Sequence, residues 1–272
     1  MTTSTAATGQ LSTSAAEVYD AFFVPALFGA WAGPLCDAAR VTAGSSVLDV
    51  ACGTGATTRE AARRAGDAGQ VTGLDRNDGM IAVARGHGAG ITWVEGRAES
   101  LPFSSGSFDV LLCQFGLMFF DDRAAALGEM RRVLRPGGRI ALSVWDSASN
   151  SPGYAAMIAL IEEMFGDQAA DALRAPFVLG DPADLAAVLD AGGLGGAQVT
   201  TRTGTARFAS IRDWVRTDVR GWTLADFIDD AGVEALVASA ERQLGQFVGP
   251  DGGVVFPAPA HIATWEKGVP EA

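Results

Sequence analysis

An acid and two closely spaced glycines are the first residues in the chain whose types and spacing suggest chemistry. Asp49 lies within the apolar run 47–50, and Gly53 and Gly55 follow it. Glycines in such a turn remove the side chains that would keep a ligand away from the backbone. Residues 57–62 predict a helix, whose first N–H groups attract an anion. The stretch therefore predicts a site for a ligand that carries both a carboxylate and an amine.

A second acid, Asp75, ends another short apolar run, 70–75. An acid at this place is where a ribose would offer its two hydroxyls, so the two acids together fit any adenine nucleoside cofactor. A dinucleotide turn requires a third glycine where this chain has Thr58, and no P-loop lysine follows. NAD stays open but is disfavoured, and the methionine half of S-adenosylmethionine matches the carboxylate and amine.

The elements that must position these acids alternate between strand and helix. Alternation of this kind predicts right-handed crossovers and an α/β fold with a doubly wound, mostly parallel sheet, in which both acids lie at one edge. The helix that ends at Leu134 and Arg135 should be stopped by the Pro-Gly-Gly that follows. The predicted strands lie near 46–50, 71–75, 91–94, 108–113 and 139–145, and the predicted helices near 56–65, 78–86 and 121–134.

Composition limits the classes of partner. The formal net charge is −12 and Lys267 is the single lysine, which argues against nucleic acid and anionic membranes and favours a small-molecule substrate. Three cysteines without paired spacing predict no disulfide and no metal site, and a cytoplasmic location is expected. Residues 1–12 predict a disordered tail rather than a signal peptide, and no apolar run is expected to be long enough to span a membrane.

Several motifs in one order make the chain resemble a known family. The chain strongly resembles the class I S-adenosylmethionine-dependent methyltransferases, and within them the branch of the ubiquinone and menaquinone C-methyltransferases and many small-molecule enzymes of bacterial secondary metabolism. The resemblance covers roughly residues 40 to 146. The matching stretches are 47–55, Gly73-Leu74-Asp75 with Met80, 98–103, Phe108-Asp109-Val110, Phe115-Gly116-Leu117 and 132–138.

The resemblance implies a Rossmann-like seven-stranded sheet with an antiparallel last strand. It also implies S-adenosylmethionine as cofactor and S-adenosylhomocysteine as product. Gly53 and Gly55 would meet the methionine end, Asp49 its ammonium and Asp75 both ribose hydroxyls. The full set of expected cofactor-binding residues is Tyr19, Asp49, Ala51, Gly53, Gly55, Asp75, Arg76, Met80, Arg97, Ala98, Glu99 and Gln114.

One position departs from the family pattern. Family members usually have Asp before Ala98, where it binds the adenine amino group, and this chain has Arg97. Because Arg has no acceptor, that bond must be absent or come from Glu99 or a carbonyl. Met80 resembles the family residue that packs on adenine, with a place in the helix core as the alternative.

The rest of the chain is expected to cover the site. One domain over 13–272 is predicted after the tail: N-terminal covering helices at 13–40, broken by Pro25 and Pro34, and a cofactor-binding core at 41–146. A helical cap at 150–175 and 208–248, and a last strand at 254–266, complete it. The alternative is that the cap packs away from the site. Oligomeric state is left open.

Candidates for catalysis are few. Methyl transfer from a sulfonium is an in-line substitution that depends mainly on proximity and desolvation, so few protein groups are needed. Tyr19 and His261 are the candidate catalytic residues, whereas His87 is expected on the surface. Aromatic faces near the sulfonium are expected from Tyr19, Phe22, Trp31 and Phe115, with core packing as the alternative. Rival functions are a non-methylating use of the same cofactor and a degenerate binding or scaffold protein.

Overall fold

A seven-stranded sheet forms the centre of the computed structural model, which describes residues 13–88, 90–220 and 223–269. Its strand order is β3-β2-β1-β4-β5-β9-β6, and β9 runs antiparallel to both of its neighbours. These strands are β1 (Ser46–Val50), β2 (Gln70–Asp75), β3 (Ile91–Glu95), β4 (Phe108–Gln114), β5 (Leu134–Trp145), β6 (Gln198–Arg202) and β9 (Ala260–Glu266). The predicted α/β fold, with a mostly parallel sheet and an antiparallel last strand, is confirmed.

Helices flank the sheet and continue beyond it. A π-helix (Tyr19–Phe28) lies between the first two α-helices. The α-helices are α1 (Thr13–Val18), α2 (Gly29–Ala38), α3 (Ala56–Ala65), α4 (Asp78–Arg85), α5 (Arg123–Val133), α6 (Pro152–Phe165), α7 (Asp167–Arg174), α8 (Pro182–Ala191), α9 (Ile211–Arg220) and α10 (Asp230–Gln243). The predicted tail at 1–12 lies outside the described residues.

Strand β1 has the central place because it is apolar on both faces. Val47, Leu48 and Val50 are fully buried, as expected for an inner strand of a parallel sheet. In the parallel register, Asp49 pairs with Gly73 of β2, two residues before Asp75. Both acids therefore lie at the carboxyl edge of the sheet, where ligands of doubly wound folds bind.

The last part of the sheet differs from the prediction in two ways. First, β5 begins at Leu134, not near 139, because Leu134 already pairs with Phe108 and the Pro-Gly-Gly segment continues as strand. Second, the predicted last strand 254–266 is divided into two strands, and residues 198–208 are divided in the same way. Their outer halves, β7 (Thr205–Phe208) and β8 (Val254–Pro257), form a separate two-stranded sheet.

Both strands divide at the same place, where Gly204 and Ala258 are in contact. Ala258 donates to the carbonyl of Gly204 at 3.0 Å, and it lies between two prolines, which have no N–H for a ladder. A side chain at Gly204 would meet the Trp31 ring at 2.4 Å. Both strands therefore leave the main sheet at the same point.

Pro25 and Pro34 do not break the N-terminal segment. Pro25 lies inside the π-helix, where Gly29 donates to the carbonyl of Val24, and Pro34 lies inside α2. The stretch Ala15–Ala38 is 24 residues long and contains an 18-residue window with a mean hydropathy of 1.3, so by length and composition only it is long enough to cross a membrane. The expectation that no apolar run reaches this length is therefore wrong, although buried helices of soluble proteins pass the same test.

The helices after β5 pack together beside the N-terminal segment. Helix α6 contacts α7 and α10, and α10 contacts α9. Trp214 of α9, Tyr154 of α6 and Phe256 of β8 are buried in one aromatic cluster. This layer and the π-helix together enclose a chamber next to the carboxyl edge of the sheet.

Candidate active site

A cleft with about 860 Å³ of empty space, including its open mouth, lies at the carboxyl edge of the sheet; we call it the main cavity. Nine of the twelve residues predicted to bind the cofactor line it. Asp49 lines a neighbouring cavity of about 310 Å³, the glycine-turn cavity, and the two share Tyr19, Ala51, Gly53 and Gln114. The predicted residues in the main cavity are Tyr19, Ala51, Gly53, Asp75, Arg76, Met80, Ala98, Glu99 and Gln114.

The turn after β1 needs its glycines for two different reasons. Gly53 and Gly55 have φ angles of 55° and 86°, which favour glycine. A side chain on Gly55 would also meet the Trp93 ring at 2.3 Å, so Gly55 packs against β3 rather than lining either cavity. A side chain on Gly53 would point toward the Tyr19 ring at 3.8 Å. Gly53 is therefore the glycine that keeps ligand space open.

Four residues that line the glycine-turn cavity each have a buried polar atom without a hydrogen-bond partner among the described residues. Two are acceptors, Oδ1 of Asp49 and Oε1 of Gln114, and two are hydroxyls, those of Thr54 and Thr57. No side chain caps the N-terminus of α3, which starts beside them. Buried polar groups are normally satisfied, so this set predicts a ligand with donors for the first pair and acceptors for the second.

Asp49 is deeply buried, and its carboxyl has one hydrogen-bond partner among the described residues. Its Oδ2 accepts a hydrogen bond from the Thr58 hydroxyl at 2.6 Å, and its side chain is about 1% exposed. Burial raises the pKa of the Asp49 carboxyl from 3.8 to about 7, and the bond from Thr58 opposes the shift. An ammonium group beside Oδ1 would restore the ionised form.

Asp75 also organises the turn. Its Oδ2 accepts from the backbone N–H of Gly53 at 2.8 Å, and its Oδ1 accepts from that of Asn77 at 2.9 Å. Burial raises the pKa of this carboxyl, while the two backbone bonds lower it. Each carboxylate oxygen can accept a further hydrogen bond, so a ribose hydroxyl can be added without loss of these two.

Arg97 is placed differently from the other predicted residues. It is not among the described residues that line the main cavity. Its guanidinium pairs with Asp121 at 2.7 Å and Glu99 at 3.4 Å, and its side chain is 51% exposed. The prediction that Arg97 binds the cofactor is not supported by this position. Glu99 does line the cavity and offers the carboxylate acceptor that Arg97 lacks.

Two of the four predicted aromatic faces lie at the site. Tyr19 and Phe115 line the main cavity, and Tyr19 stacks on Phe28 at 5.1 Å. The other two predictions are wrong. Phe22 is 52% exposed because it faces outward from the π-helix, and Trp31 is buried one layer behind the cavity, edge-on to Phe115.

His261 is buried in the core and lines neither the main cavity nor the glycine-turn cavity. Its Nε2 donates to the carbonyl of Gly180 at 3.0 Å, and its Nδ1 lies 2.9 Å from the Thr201 hydroxyl. Since both ring nitrogens are engaged, His261 holds the strands and loops together, and its candidacy as a catalytic base is not supported. His87 is exposed as expected, and it contacts Asp20 of the π-helix at 2.7 Å.

Residues that sequence reasoning missed include Thr54 and Thr57. The sequence signal that could have identified them is a pair of hydroxyls within a glycine turn and in the first turn of the helix that follows it. Within the described ranges, no group of three or more His, Cys, Asp or Glu side chains is arranged to hold a metal.

Comparisons with known proteins agree with this geometry. A family model described as a methyltransferase domain matches residues 48–142. The ubiquinone/menaquinone biosynthesis C-methyltransferase UbiE of Hahella chejuensis is 41% identical over 126 residues, 44% of this chain and 51% of that protein. The chain thus spans about half the length of the curated relatives it matches.

Solved structures are similar in fold at low sequence identity. The YcgJ protein of Bacillus subtilis is 18% identical with a TM-score of 0.59, covering 88% of this chain and 98% of that one. The [4+2]-cyclase SpnF is 19% identical with a TM-score of 0.53, covering 89% and 82%. At these identities the likeness concerns the fold alone.

Proposed function

The chain carries a domain of the class I S-adenosylmethionine-dependent methyltransferases, of the UbiE-like branch, and from this premise we propose that it transfers a methyl group from S-adenosylmethionine to a small, apolar or aromatic molecule. The relatives match only part of the chain, so the activity and the acceptor are argued from the site. We also propose a cytoplasmic location.

The observation that supports the proposal most strongly is that four residues lining the glycine-turn cavity have buried polar atoms without a hydrogen-bond partner among the described residues. An α-amino acid group has an ammonium for Asp49 Oδ1 and Gln114 Oε1, and a carboxylate for the hydroxyls of Thr54 and Thr57. Helix α3 adds N–H groups for the same carboxylate. NAD has no amino acid end and would leave these atoms unsatisfied.

The main cavity accounts for the other half of such a ligand. Asp75 is placed to accept from a ribose, and Met80 and Ala98 offer apolar contacts for an adenine ring. Glu99 offers an acceptor for its amino group. The residues present therefore fit S-adenosylmethionine, which supplies a methyl group on a sulfonium sulfur.

The chain's own contribution to the reaction is alignment and exclusion of water. Tyr19 and Phe28 of the π-helix cover the junction of the cavities, and Phe115 closes it from the sheet side, stacked on Trp145 at 3.8 Å. Aromatic faces also stabilise a nearby cation by about 0.5 to 2 kcal/mol each. In-line substitution needs little more from the protein.

The acceptor class is inferred from what lies outside the matched domain. The chamber beyond Phe28, enclosed by the π-helix, α6, α7 and α9, belongs to segments outside residues 48–142. Its wall is mostly aromatic and aliphatic, which favours an apolar or aromatic acceptor. The UbiE name of the relatives is compatible with a quinone acceptor, which stays one member of this class.

Thermal unfolding with three ligands tests the proposal. A ligand at about 100 times its dissociation constant stabilises the folded state by about 2.7 kcal/mol, a shift of several degrees for a domain this size. We expect shifts with S-adenosylmethionine and S-adenosylhomocysteine and none with NAD. The absence of a shift with both sulfur ligands, for folded protein free of bound cofactor, would falsify the proposal.

A turnover assay must follow, since the fold also occurs in a [4+2]-cyclase. We expect S-adenosylhomocysteine to form in step with methylated product. Product formed without it would instead support a non-methylating use of the cofactor.

Replacing Arg97 by alanine should leave the affinity for S-adenosylhomocysteine within about threefold of wild type, since an exposed ion pair contributes about 0 to 1 kcal/mol. Arg97 pairs with Asp121 and does not line the main cavity. Calorimetric titration measures the effect. A loss of tenfold or more, on the order of 1.4 kcal/mol, would place Arg97 in the binding site.

The affinity for S-adenosylhomocysteine should increase between about pH 5.5 and 7 and then level off. Asp49 has a pKa of about 7 in the folded protein, so ammonium binding displaces its proton below that pH. By the same linkage, unliganded protein loses stability from Asp49 as the pH rises from 3.8 to about 7.

Titration calorimetry across this range measures how the affinity for S-adenosylhomocysteine changes with pH, and Asp49→Asn is the control. The part of the pH dependence that disappears in the variant is due to Asp49. Any remaining pH dependence is expected from Asp75, because burial also raises the pKa of its carboxyl. An unchanged pH dependence in Asp49→Asn would contradict the assignment of the ammonium to Asp49.

A further inference from the structure

The chamber beyond Phe28 is a third cavity, with about 330 Å³ of empty space including its open mouth; we call it the aromatic chamber. Phe28 lines both this chamber and the glycine-turn cavity, so the two are neighbours across one ring. The chamber walls relevant here are Phe23, Phe28, Trp145, Tyr154, Phe177 and Asp218. Among the described residues that line it, Asp218 is the one that has a carboxyl group.

Asp218 occupies a position that the fold alone does not explain. It belongs to the apolar face of α9, together with Ile211, Trp214, Val215 and Val219, and it is about 1% exposed. Neither of its carboxyl oxygens accepts a hydrogen bond of normal geometry from a described residue. An apolar side chain of similar volume would cost less to bury here.

The groups next to Asp218 are neutral. The indole of Trp214 and the hydroxyl of Tyr154 approach its carboxyl closely enough to lower its pKa. Burial has the larger effect and raises this pKa well above its ordinary value. Burial and the nearby carboxyl likewise raise the pKa of the Tyr154 hydroxyl. Asp218 therefore lines the chamber, and its buried carboxyl has hydrogen-bonding capacity that Trp214 and Tyr154 use only in part.

We propose that Asp218 accepts a hydrogen bond from a hydroxyl or amino group of an otherwise apolar, ring-sized molecule held in the aromatic chamber, and that Tyr154 supports the same contact. The inference rests on the proposed function in one respect, since the occupant is then the methyl acceptor. Asp218 is thus a specificity-determining residue, selecting a ring with an O–H or N–H over the bare hydrocarbon.

A difference in affinity between the two kinds of ring is expected because the bare hydrocarbon offers no hydrogen-bond donor to Asp218. A site built to hydrogen-bond a substrate hydroxyl rejects the analogue without it, because its buried polar group then stays unpaired. The aromatic walls bind both analogues equally by burial of apolar area. The difference between the two affinities therefore reports on Asp218 and not on the general packing of the chamber.

Naphthalene and 1-naphthol form a matched pair of probes, because they differ by one hydroxyl. We expect the 272-residue chain to bind 1-naphthol at least about tenfold more tightly than naphthalene, measured by titration calorimetry up to the solubility limits. Asp218→Leu should remove this preference and retain binding of naphthalene. Asp218→Asn, which keeps one acceptor oxygen, should retain part of it.

Asp230→Asn is the control, since Asp230 is a fully exposed acid whose carboxylate pairs with Arg220 at the surface. It should bind both probes like wild type. Thermal unfolding of each variant establishes that it is folded, and Asp218→Leu should be as stable as wild type or more so.

The inference is overturned by equal wild-type affinities for the two probes, by no binding of either, or by a preference that survives in Asp218→Leu. Titration with S-adenosylhomocysteine in the same series separates the two proposals. Normal binding of this ligand without a naphthol preference removes the inference alone. A naphthol preference without binding of S-adenosylhomocysteine removes the proposed function and leaves a chamber that recognises donors.

Discussion

Replacing Asp75 by alanine is expected to weaken the binding of S-adenosylhomocysteine by at least about 100-fold, because two hydrogen bonds to a charged group are lost at about 1.5 to 3 kcal/mol each. The same change leaves the backbone N–H groups of Gly53 and Asn77 without their acceptor. The turn that carries the ligand then loses its shape, so the loss in affinity exceeds that of the ribose contact alone.

Titration calorimetry with S-adenosylhomocysteine measures this effect, and Asp78→Ala is the matched control. Asp78 lies three residues farther along, is exposed, and does not line the main cavity. We expect it to bind within about threefold of wild type, because a surface substitution away from the site changes little. An Asp75→Ala protein that is folded and binds as tightly as this control would contradict the assigned role.

The parts of the site that sequence reasoning found are those whose chemistry is local. Asp49, Gly53 and Asp75 belong to short strand ends and one tight turn, and parallel pairing brings strand ends together whatever the rest of the chain does. The alternation of strand and helix also sufficed for the seven-stranded sheet. Element bounds in the cofactor-binding half therefore agree with the prediction to within a few residues, apart from the early start of β5.

The parts that were missed depend on contacts between distant segments. The division of the last strands depends on Gly204 meeting Ala258, more than fifty residues later in the chain. The direction of Arg97 depends on Asp121, which is its partner across a loop. His261 was a candidate base because histidine is versatile, and only the fold shows that Gly180 and Thr201 engage its ring.

The sequence pattern around Asp218 already indicates that this residue is unusual. Ile211, Trp214, Val215, Asp218 and Val219 follow the spacing of one helix face, so an acid occurs where the pattern requires an apolar residue. Such a break indicates either a strained core or a site. The cavity beside it, which only the structure reveals, is what favours the site.

Replacing Gly180 by alanine is expected to destabilise the protein by about 3 kcal/mol or more, because the added methyl group overpacks a region that cannot relax easily. It would lie 2.3 Å from the backbone nitrogen of Ser147 and 2.6 Å from the carbonyl carbon of Asp146. These are main-chain atoms at the end of β5, so no side-chain rotation relieves the contact. We expect the thermal midpoint to fall by roughly 2 to 4 °C per kcal/mol.

The consequences of this substitution extend to the aromatic chamber, because Gly180 donates to the carbonyl of Phe177 at 3.0 Å and its own carbonyl accepts from His261. A shift here moves the Phe177 wall relative to the sheet, and the affinity for 1-naphthol should fall more than that for S-adenosylhomocysteine. Gly128→Ala in α5 is the control, since its methyl group meets nothing within 4 Å and removes a helix glycine. It should be stabilising by up to about 1 kcal/mol. Equal thermal midpoints for the two variants would contradict the close contact between Gly180 and the end of β5.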